Sequence, residues 1–315
     1  MKLIALCIAL SAAAAQAAYP ERPVRLVVPY SAGGSTDTVA RLVGARLSER
    51  LGQQFVVDNR TGAGTIIGTE IVARAAPDGH TLLMATPPLA VNPALYDKVP
   101  YVLERDFMAV TNVAASSNLL VVHPSVTATS TRELIALLKS NPGKYNYGSS
   151  GIGGAGHLAM ALFTSMAGVE LVHVPYKGGA PAVADLVAGR LSLMMANLTT
   201  AQPHIRSGRL RALGIGTRAR SRLFPEVPTI AESGVPGYEA NNWNGIVAPA
   251  RTPKAVIDRL HREIVAVLRE STIAERMAKS ALEPIGDTPN EFARYLKEEA
   301  EKWGRLIKTA GIRAQ

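Results

Sequence analysis

Cysteine is almost missing from this 315-residue chain: the single one, Cys7, lies near the N-terminus. Beyond residue 17 the chain therefore has no thiol, no disulfide and no thiolate metal site. Aromatic residues make up only 5%, too few for a base-stacking platform, and the basic residues behind the formal charge of +9 are scattered. Their tightest cluster, Arg218, Arg220 and Arg222, reads as a solvated loop, so no nucleic acid is expected as a partner. The six histidines (His80, His123, His157, His173, His204 and His261) form no H-x-x-x-H or H-x-H pair, and no metal is expected. The nucleophile elbow G-x-S-x-G is also lacking, because Ile152 stands where its last glycine is needed. No segment after residue 17 is apolar over the roughly 20 residues that a spanning helix requires. What remains is globular. At 47% hydrophobic residues, with 27 Gly and 20 Pro, the chain is neither disordered nor a coiled coil. A chain of this length buries about three quarters of its unfolded surface and tends to divide into two lobes. Its positive balance suits weak steering of small anions.

The first 17 residues have the three parts of an export signal: Lys2, an apolar stretch over 3–15, and the small-x-small triplet Ala15-Gln16-Ala17. Cys7 follows Leu6 rather than a small residue, which speaks against a lipoprotein. The expectation is a cleaved signal peptide over 1–17 and a periplasmic protein one positive charge lower.

The body alternates strand and helix. An apolar run at 24–28 precedes an amphipathic stretch at 35–51 in which Val39, Leu42, Val43 and Leu47 recur at helical spacing. Strands are expected at 55–57 and 81–85, around a helix at 65–75 that ends before Pro77-Asp78-Gly79. Two strand-like runs, 108–113 and 119–122, flank Ser116-Ser117-Asn118. A helix at 131–140 carries Ser130 as N-cap and Glu133 at N3. Strands at 145–148 and 171–174 around a helix at 156–167 restart the βαβ rhythm, extended by a helix at 182–188 and strands at 191–195 and 210–215. The proline-rich stretch 225–236 reads as a connection, and amphipathic helices at 256–268 and 292–307 are expected to return to the first lobe. The fold class is α/β with two lobes, each a mostly parallel sheet flanked by helices. Lobe 1 takes 18–120 plus 237–315, and lobe 2 takes 121–236.

Two glycine-rich turns carry the chemistry. The first strand leads into Tyr30-Ser31-Ala32-Gly33-Gly34-Ser35-Thr36-Asp37, and the strand of the second lobe into Gly148-Ser149-Ser150-Gly151-Ile152-Gly153-Gly154-Ala155-Gly156-His157. A turn from strand to helix at the carboxyl end of a parallel sheet offers free backbone N–H groups and the positive end of a helix dipole. Facing each other, two such turns make a cleft for an anion; singly, their glycines may do no more than permit tight turns. Ser35 is positioned to cap the first helix. Asp37 would repel an anion, and its expected role is structural, one helical turn before Arg41. His157 either donates to a ligand or packs beneath its loop. Gly151, Gly153 and Gly156 also satisfy G-x-G-x-x-G, the rival reading of an exported cofactor-binding enzyme. Against it, the next strand runs into Pro175-Tyr176-Lys177 with no acidic residue for a ribose.

At these loops the sequence resembles the Bug (TctC-like) family, the extracytoplasmic solute-binding receptors of tripartite tricarboxylate transporters. The matching segments run in order through nearly the whole chain: Tyr30 to Asp37 with Ala40-Arg41, Asn59-Arg60-Thr61-Gly62-Ala63-Gly64, and Ala76-Pro77-Asp78-Gly79-His80-Thr81. Arg105-Asp106-Phe107, Gly148-Ser149-Ser150-Gly151 with His157-Leu158-Ala159, His173-Val174-Pro175-Tyr176-Lys177-Gly178-Gly179-Ala180-Pro181-Ala182 and Val227-Pro228-Thr229-Ile230-Ala231-Glu232-Ser233-Gly234 complete them. The resemblance implies a hinged, two-lobed periplasmic binding protein of type II. It is not an enzyme, needs no cofactor, acts as a monomer, and passes a small organic acid to the membrane subunits of a transporter. Carried over by position, the gripping residues are Tyr30, Ser31, Gly33, Gly34 and Ser35 from lobe 1, and Ser149, Ser150, Gly151 and His157 from lobe 2. Thr86, Pro88 and Leu89, with Ala196 and Asn197 at a strand end, are expected to wall the pocket and choose the ligand.

Two departures narrow that choice. Pro87-Pro88-Leu89 is apolar and stiff where relatives often carry small polar residues. Asn197 is a neutral amide in a place where many relatives have an Asp that recognises an amino group. The expected ligand lacks an ammonium group and has an apolar or aromatic middle.

Overall fold

Hydrophobic runs of about five residues separated by amphipathic stretches fold here into one curled ten-stranded sheet with helices on both faces. The computed structural model describes residues 19–221, 224–309 and 312. The expected signal peptide, Cys7 and Arg222 lie outside the described residues.

The first half begins with β1 (Val24–Val28), α1 (Ser35–Leu51) and β2 (Phe55–Asn59). A 3₁₀ turn at Ala63–Thr65 leads to α2 (Ile66–Ala73), then β3 (Thr81–Ala85), α3 (Pro88–Leu95) and the short α4 (Leu103–Asp106). β1 lies between β2 and β3, parallel to both. β4 (Phe107–Val122) then crosses into the second half, which contains α5 (Thr131–Lys139), β5 (Asn146–Ser149), α6 (Ala155–Ala167), β6 (Val172–Pro175) and α7 (Gly179–Val187). β7 (Leu193–Asn197), α8 (Leu198–Arg206) and β8 (Arg211–Ile215) complete that half. β5 lies between β6 and β7, parallel to both, so each half contains a three-stranded parallel unit. The chain returns along β9 (Asn241–Pro249) and ends with α9 (Lys254–Leu268), α10 (Ser271–Lys279), β10 (Leu282–Pro284) and α11 (Pro289–Thr309).

The expected break at Ser116-Ser117-Asn118 does not occur. β4 is one 16-residue strand. It pairs antiparallel with β9 as far as Ser117↔Asn241, then with β7 from Asn118↔Asn197 onward. The backbone groups of the three polar residues thus keep ladder partners while the strand changes neighbours, which satisfies them without a turn. β9 is flanked by β3 and β4, both antiparallel, and it joins the two parallel units through β4.

Local signals hold where they are strong. The Ser130 hydroxyl accepts from the Glu133 N–H at 3.2 Å, and the Glu133 carboxylate reaches back to the Thr129 N–H and hydroxyl, both at 2.8 Å. α9 packs on the first half, as expected, with Leu260 and Ile264 among Val39, Val43 and Val110. α11 does more: Phe292 and Leu296 join Val27, Leu83 and Val247 of the first half, whereas Trp303 and Ile307 join Leu120, Leu158 and Leu193 of the second. Between these two contacts sits Glu299, 7% exposed, whose Oε2 accepts from Trp243 Nε1 on β9 at 3.0 Å and from Trp303 Nε1 at 2.9 Å. A buried carboxylate needs such donors to offset its lost hydration.

The seat of α11 depends on Gly245 of β9, where any Cβ would overlap the Phe292 ring. Gly245→Ala should therefore cost about 1–3 kcal/mol in urea unfolding, the usual range for overpacking. Adding Phe292→Leu should recover part of that loss, and a double variant no better than Gly245→Ala would show that the clash is not its source.

Candidate functional site

The carboxyl ends of the parallel strands open on one hollow between the halves, as the crossover geometry of open α/β sheets dictates. β1 leads through Tyr30 to α1, and β3 through Thr86 to α3. On the other side β5 leads through Ser150 to α6, β6 through Lys177-Gly178 to α7, and β7 through Asn197 to α8. The hollow is lined by Tyr30, Gly34, Ser35, Thr36, Thr86, Ser150, Ala155, Gly156, Gly179 and Thr200 at these helix starts, and by Asn118, Met194, Met195, Asn197 and Asn242 along its strand floor. It encloses about 510 Å³ with its mouth included.

Among the described residues, no Asp, Glu, Lys, Arg or His lines it. What lines it instead are helix N-termini. α1, α6 and α7 have Gly34, Gly154 and Gly178 as N-caps, and none of the three has a side-chain cap. Uncapped first turns leave backbone N–H groups available, and the dipole adds partial positive charge at each end. The Gly34 backbone is extended (φ −79°), so Ser35, expected as a cap, is the first helical residue instead. The Tyr30 hydroxyl lies 3.3 Å from Thr86 Oγ1 and has the Ser150 hydroxyl within reach; burial raises its pKa to about 12, so it stays a neutral donor.

Asp37 fixes the first loop from behind. Its Oδ2 accepts from the Gly33 N–H and from Arg41 Nε, both at 2.9 Å, and its Oδ1 accepts from Asn59 Nδ2 at 3.0 Å. Burial alone would raise the Asp37 pKa; the hydrogen bonds from Arg41, Gly33 and Asn59, with the Arg41 charge, more than offset it and hold the carboxyl below its ordinary value. The Gly33 N–H is thus turned toward Asp37.

Of the residues singled out from the sequence, Tyr30, Gly34, Ser35, Thr86, Ser150 and Asn197 come together on the hollow's surface. The others stand behind it. The Ser31 N–H donates to the Lys177 carbonyl at 3.0 Å, a bond from the first half to the second, and Gly178 lies against the Ser31 hydroxyl. The Pro88 carbonyl accepts from the Tyr101 hydroxyl, Leu89 is buried in the core of the first half, and Ala196 in that of the second. Ser149 Oγ bonds His173 Nε2 at 2.6 Å and accepts from the Gly151 N–H at 3.2 Å. His157 Nδ1 accepts from the Gly153 N–H at 3.1 Å, which holds the ring against the loop. The glycines of the rival cofactor fingerprint meet protein: an added Cβ at Gly153 would lie 2.8 Å from Asn92 and Leu95, and one at Gly156 would lie 2.5 Å from the Met195 carbonyl. Asn118, Asn242, Thr200 and the two methionines are not among the site residues the sequence points to, because the strand pairing that brings Asn118 and Asn242 to the hollow leaves no local signal.

Under the second loop three rings stack: Tyr147 on His173 with centroids 4.7 Å apart, and His173 on His157 at 4.3 Å. Burial lowers the His157 pKa to about 4; burial and the neighbouring His157 lower that of His173 to about 3. Both rings are neutral at ordinary pH.

Comparison with known proteins gives a consistent picture. The sequence profile of the tripartite tricarboxylate transporter family receptor matches residues 39–312. BugT of Bordetella pertussis is 37% identical over 297 residues, covering 94% of this chain and 91% of BugT. Among solved structures, Rpa4515 of R. palustris with adipate has a TM-score of 0.91 at 39% identity, covering 94% of this chain and 99% of its own. MatC from Rhodopseudomonas palustris with bound malate has a TM-score of 0.87 at 30% identity, covering 92% and 100%. The cofactor-enzyme reading finds no support among them.

The neutral stack makes stability depend on pH. Free histidine protonates near 6.5, but these rings resist protonation when folded, so the unfolded chain binds more protons below that value and stability falls on acidification. From about pH 7 to about pH 4.5 the loss should be roughly 2 kcal/mol per ring. His157→Asn, whose carbonyl can still accept from Gly153, should flatten the dependence measured by urea unfolding at the two pH values. An unchanged slope would mean that the stack does not control it.

Proposed function

This chain belongs to the tripartite tricarboxylate transporter receptor family, and we propose that its hollow captures a small dicarboxylate for delivery to the membrane subunits of such a transporter. The observation that carries this reading is the convergence of uncapped helix starts on a cleft with no charged side chain. Backbone amides and helix dipoles attract an anion, while hydroxyls from Tyr30, Thr86 and Ser150 supply further donors. The absence of Asp and Glu from the lining leaves an ammonium group without a counter-charge, which favours plain diacids over amino acids.

On this reading the protein works in the periplasm after its first 17 residues are removed, and it performs no chemistry on its ligand. The lobes that open and close are residues 18–120 with 237–315 against 121–236. Contacts such as the Ser31–Lys177 backbone bond join the two sides when they meet. The gripping set is Tyr30, Gly34, Ser35, Thr86 and Ser150, with the remaining loop residues holding these in place.

Malate and adipate, the ligands of the two neighbours, are suitable probes. At millimolar concentration at least one should raise the melting temperature, as expected for a ligand that binds only the folded state, and aspartate and glutamate should raise it less. Gly34→Leu keeps a permitted backbone conformation, and a Cβ there meets only the Ser31 carbonyl oxygen, at 3.7 Å, in the lining of the hollow. It should abolish the shift while leaving the melting temperature of the free protein within a few degrees. An unchanged calorimetric affinity in this variant would remove the first loop from the site.

A further inference from the structure

Three asparagines share the strand floor, and their amides are not equivalent. Asn197 is held at both ends: its Oδ1 accepts from the Thr199 N–H at 3.0 Å, capping α8, and its Nδ2 donates one bond to Ser116 Oγ at 2.6 Å. Asn242 Nδ2 is directed to the same Ser116 hydroxyl at 3.4 Å. Asn118, only 2% exposed, faces Asn197 directly across the β4–β7 pair, which puts both side chains on one face of the sheet. Its backbone carbonyl accepts from the Gly216 N–H at 2.8 Å, yet its side-chain Nδ2 has no hydrogen-bond partner among the described residues. A buried amide donor without a partner is costly, and Asn118 lines the hollow, where a group entering from outside can meet it.

Resting on the receptor reading above, we infer that the Asn118 amide binds the second carboxylate of the dicarboxylate. The ligand spans the hollow. One carboxylate lies among the helix starts around Gly34, Ser35 and Ser150, the methylenes cross the hollow, and the far carboxylate accepts from Asn118 Nδ2. The first turn of α8, whose Thr200 also lines the hollow, adds its dipole at that end. Because Asn197 is held by Thr199 and Ser116, the residue that reads the length and far-end charge of the ligand is its cross-strand neighbour. The amide N–H donates strongly to a carboxylate and more weakly to an uncharged acceptor.

The test is isothermal titration calorimetry with succinate and adipate, each paired with the monoacid of the same carbon number, butyrate and hexanoate. The wild-type protein should bind one diacid at least about tenfold more tightly than its monoacid, the usual strength of a hydrogen bond to a charged group. Asn118→Ala should bring the two affinities within about threefold by weakening the diacid alone. Because Nδ2 has no protein partner to lose, the melting temperature of this variant without ligand should stay within about 2 °C of the wild type. Asn118→Asp, nearly the same shape, should weaken the diacid further by like-charge repulsion while sparing the monoacid, and it reads the same site if truncation unsettles β4. A wild-type diacid preference that survives in the Ala and Asp variants would overturn the role of Asn118 and leave the receptor reading intact. A folded wild-type protein that binds neither diacids nor monoacids would overturn both.

Discussion

A helix that begins with glycine keeps its first amides for someone else. Serine, aspartate or asparagine at the N-cap would accept one of those N–H groups and neutralise part of the dipole. Gly34, Gly154 and Gly178 do neither, and they stand at the ends of strands in opposite halves of one sheet. The rest of the architecture serves this arrangement. Parallel strands bring three uncapped starts to the same side, and the antiparallel pair β4–β9 joins the halves at the floor. Asp37 ties down the first loop from its rear, with its charge turned onto Arg41 and away from the hollow. An anion site without cations needs this degree of fixation, since a dipole is useful only when aimed.

Much of this was legible in the residue order. The βαβ rhythm follows from runs such as Val24–Val28 against the helical spacing of Val39, Val43 and Leu47, and the Asp37–Arg41 pair follows from one turn of helix. The glycine loops announced themselves by composition. What could not be read was which amide in a loop points where. Gly33 and Gly34 are adjacent, but Gly33 has φ +83° and gives its N–H to Asp37, whereas Gly34 is extended and faces the hollow. Composition cannot separate them; only the backbone path does.

The floor was hidden for a different reason. β9 opens with Asn241-Asn242-Trp243-Asn244, a polar start that lacks the apolar alternation of a strand, and its register against β4 is set by tertiary pairing. Ser116-Ser117-Asn118 has the composition of a turn, yet it stays extended because β4 pairs with β9 up to Ser117 and with β7 and β8 beyond it. Residues that reach a site through such an exchange have no neighbours in sequence to give them away. Asn197 was visible because it ends a strand and starts a helix. Asn118, opposite it, was not.

The last helix has a consequence of its own. Trp243 and Trp303 are the only two tryptophans of the chain, and both indoles donate to one oxygen of Glu299, at the place where α11 passes from one half to the other. A change in the angle between the halves alters the surroundings of both chromophores together. The protein thus carries a built-in optical gauge whose emission can be followed without any attached dye.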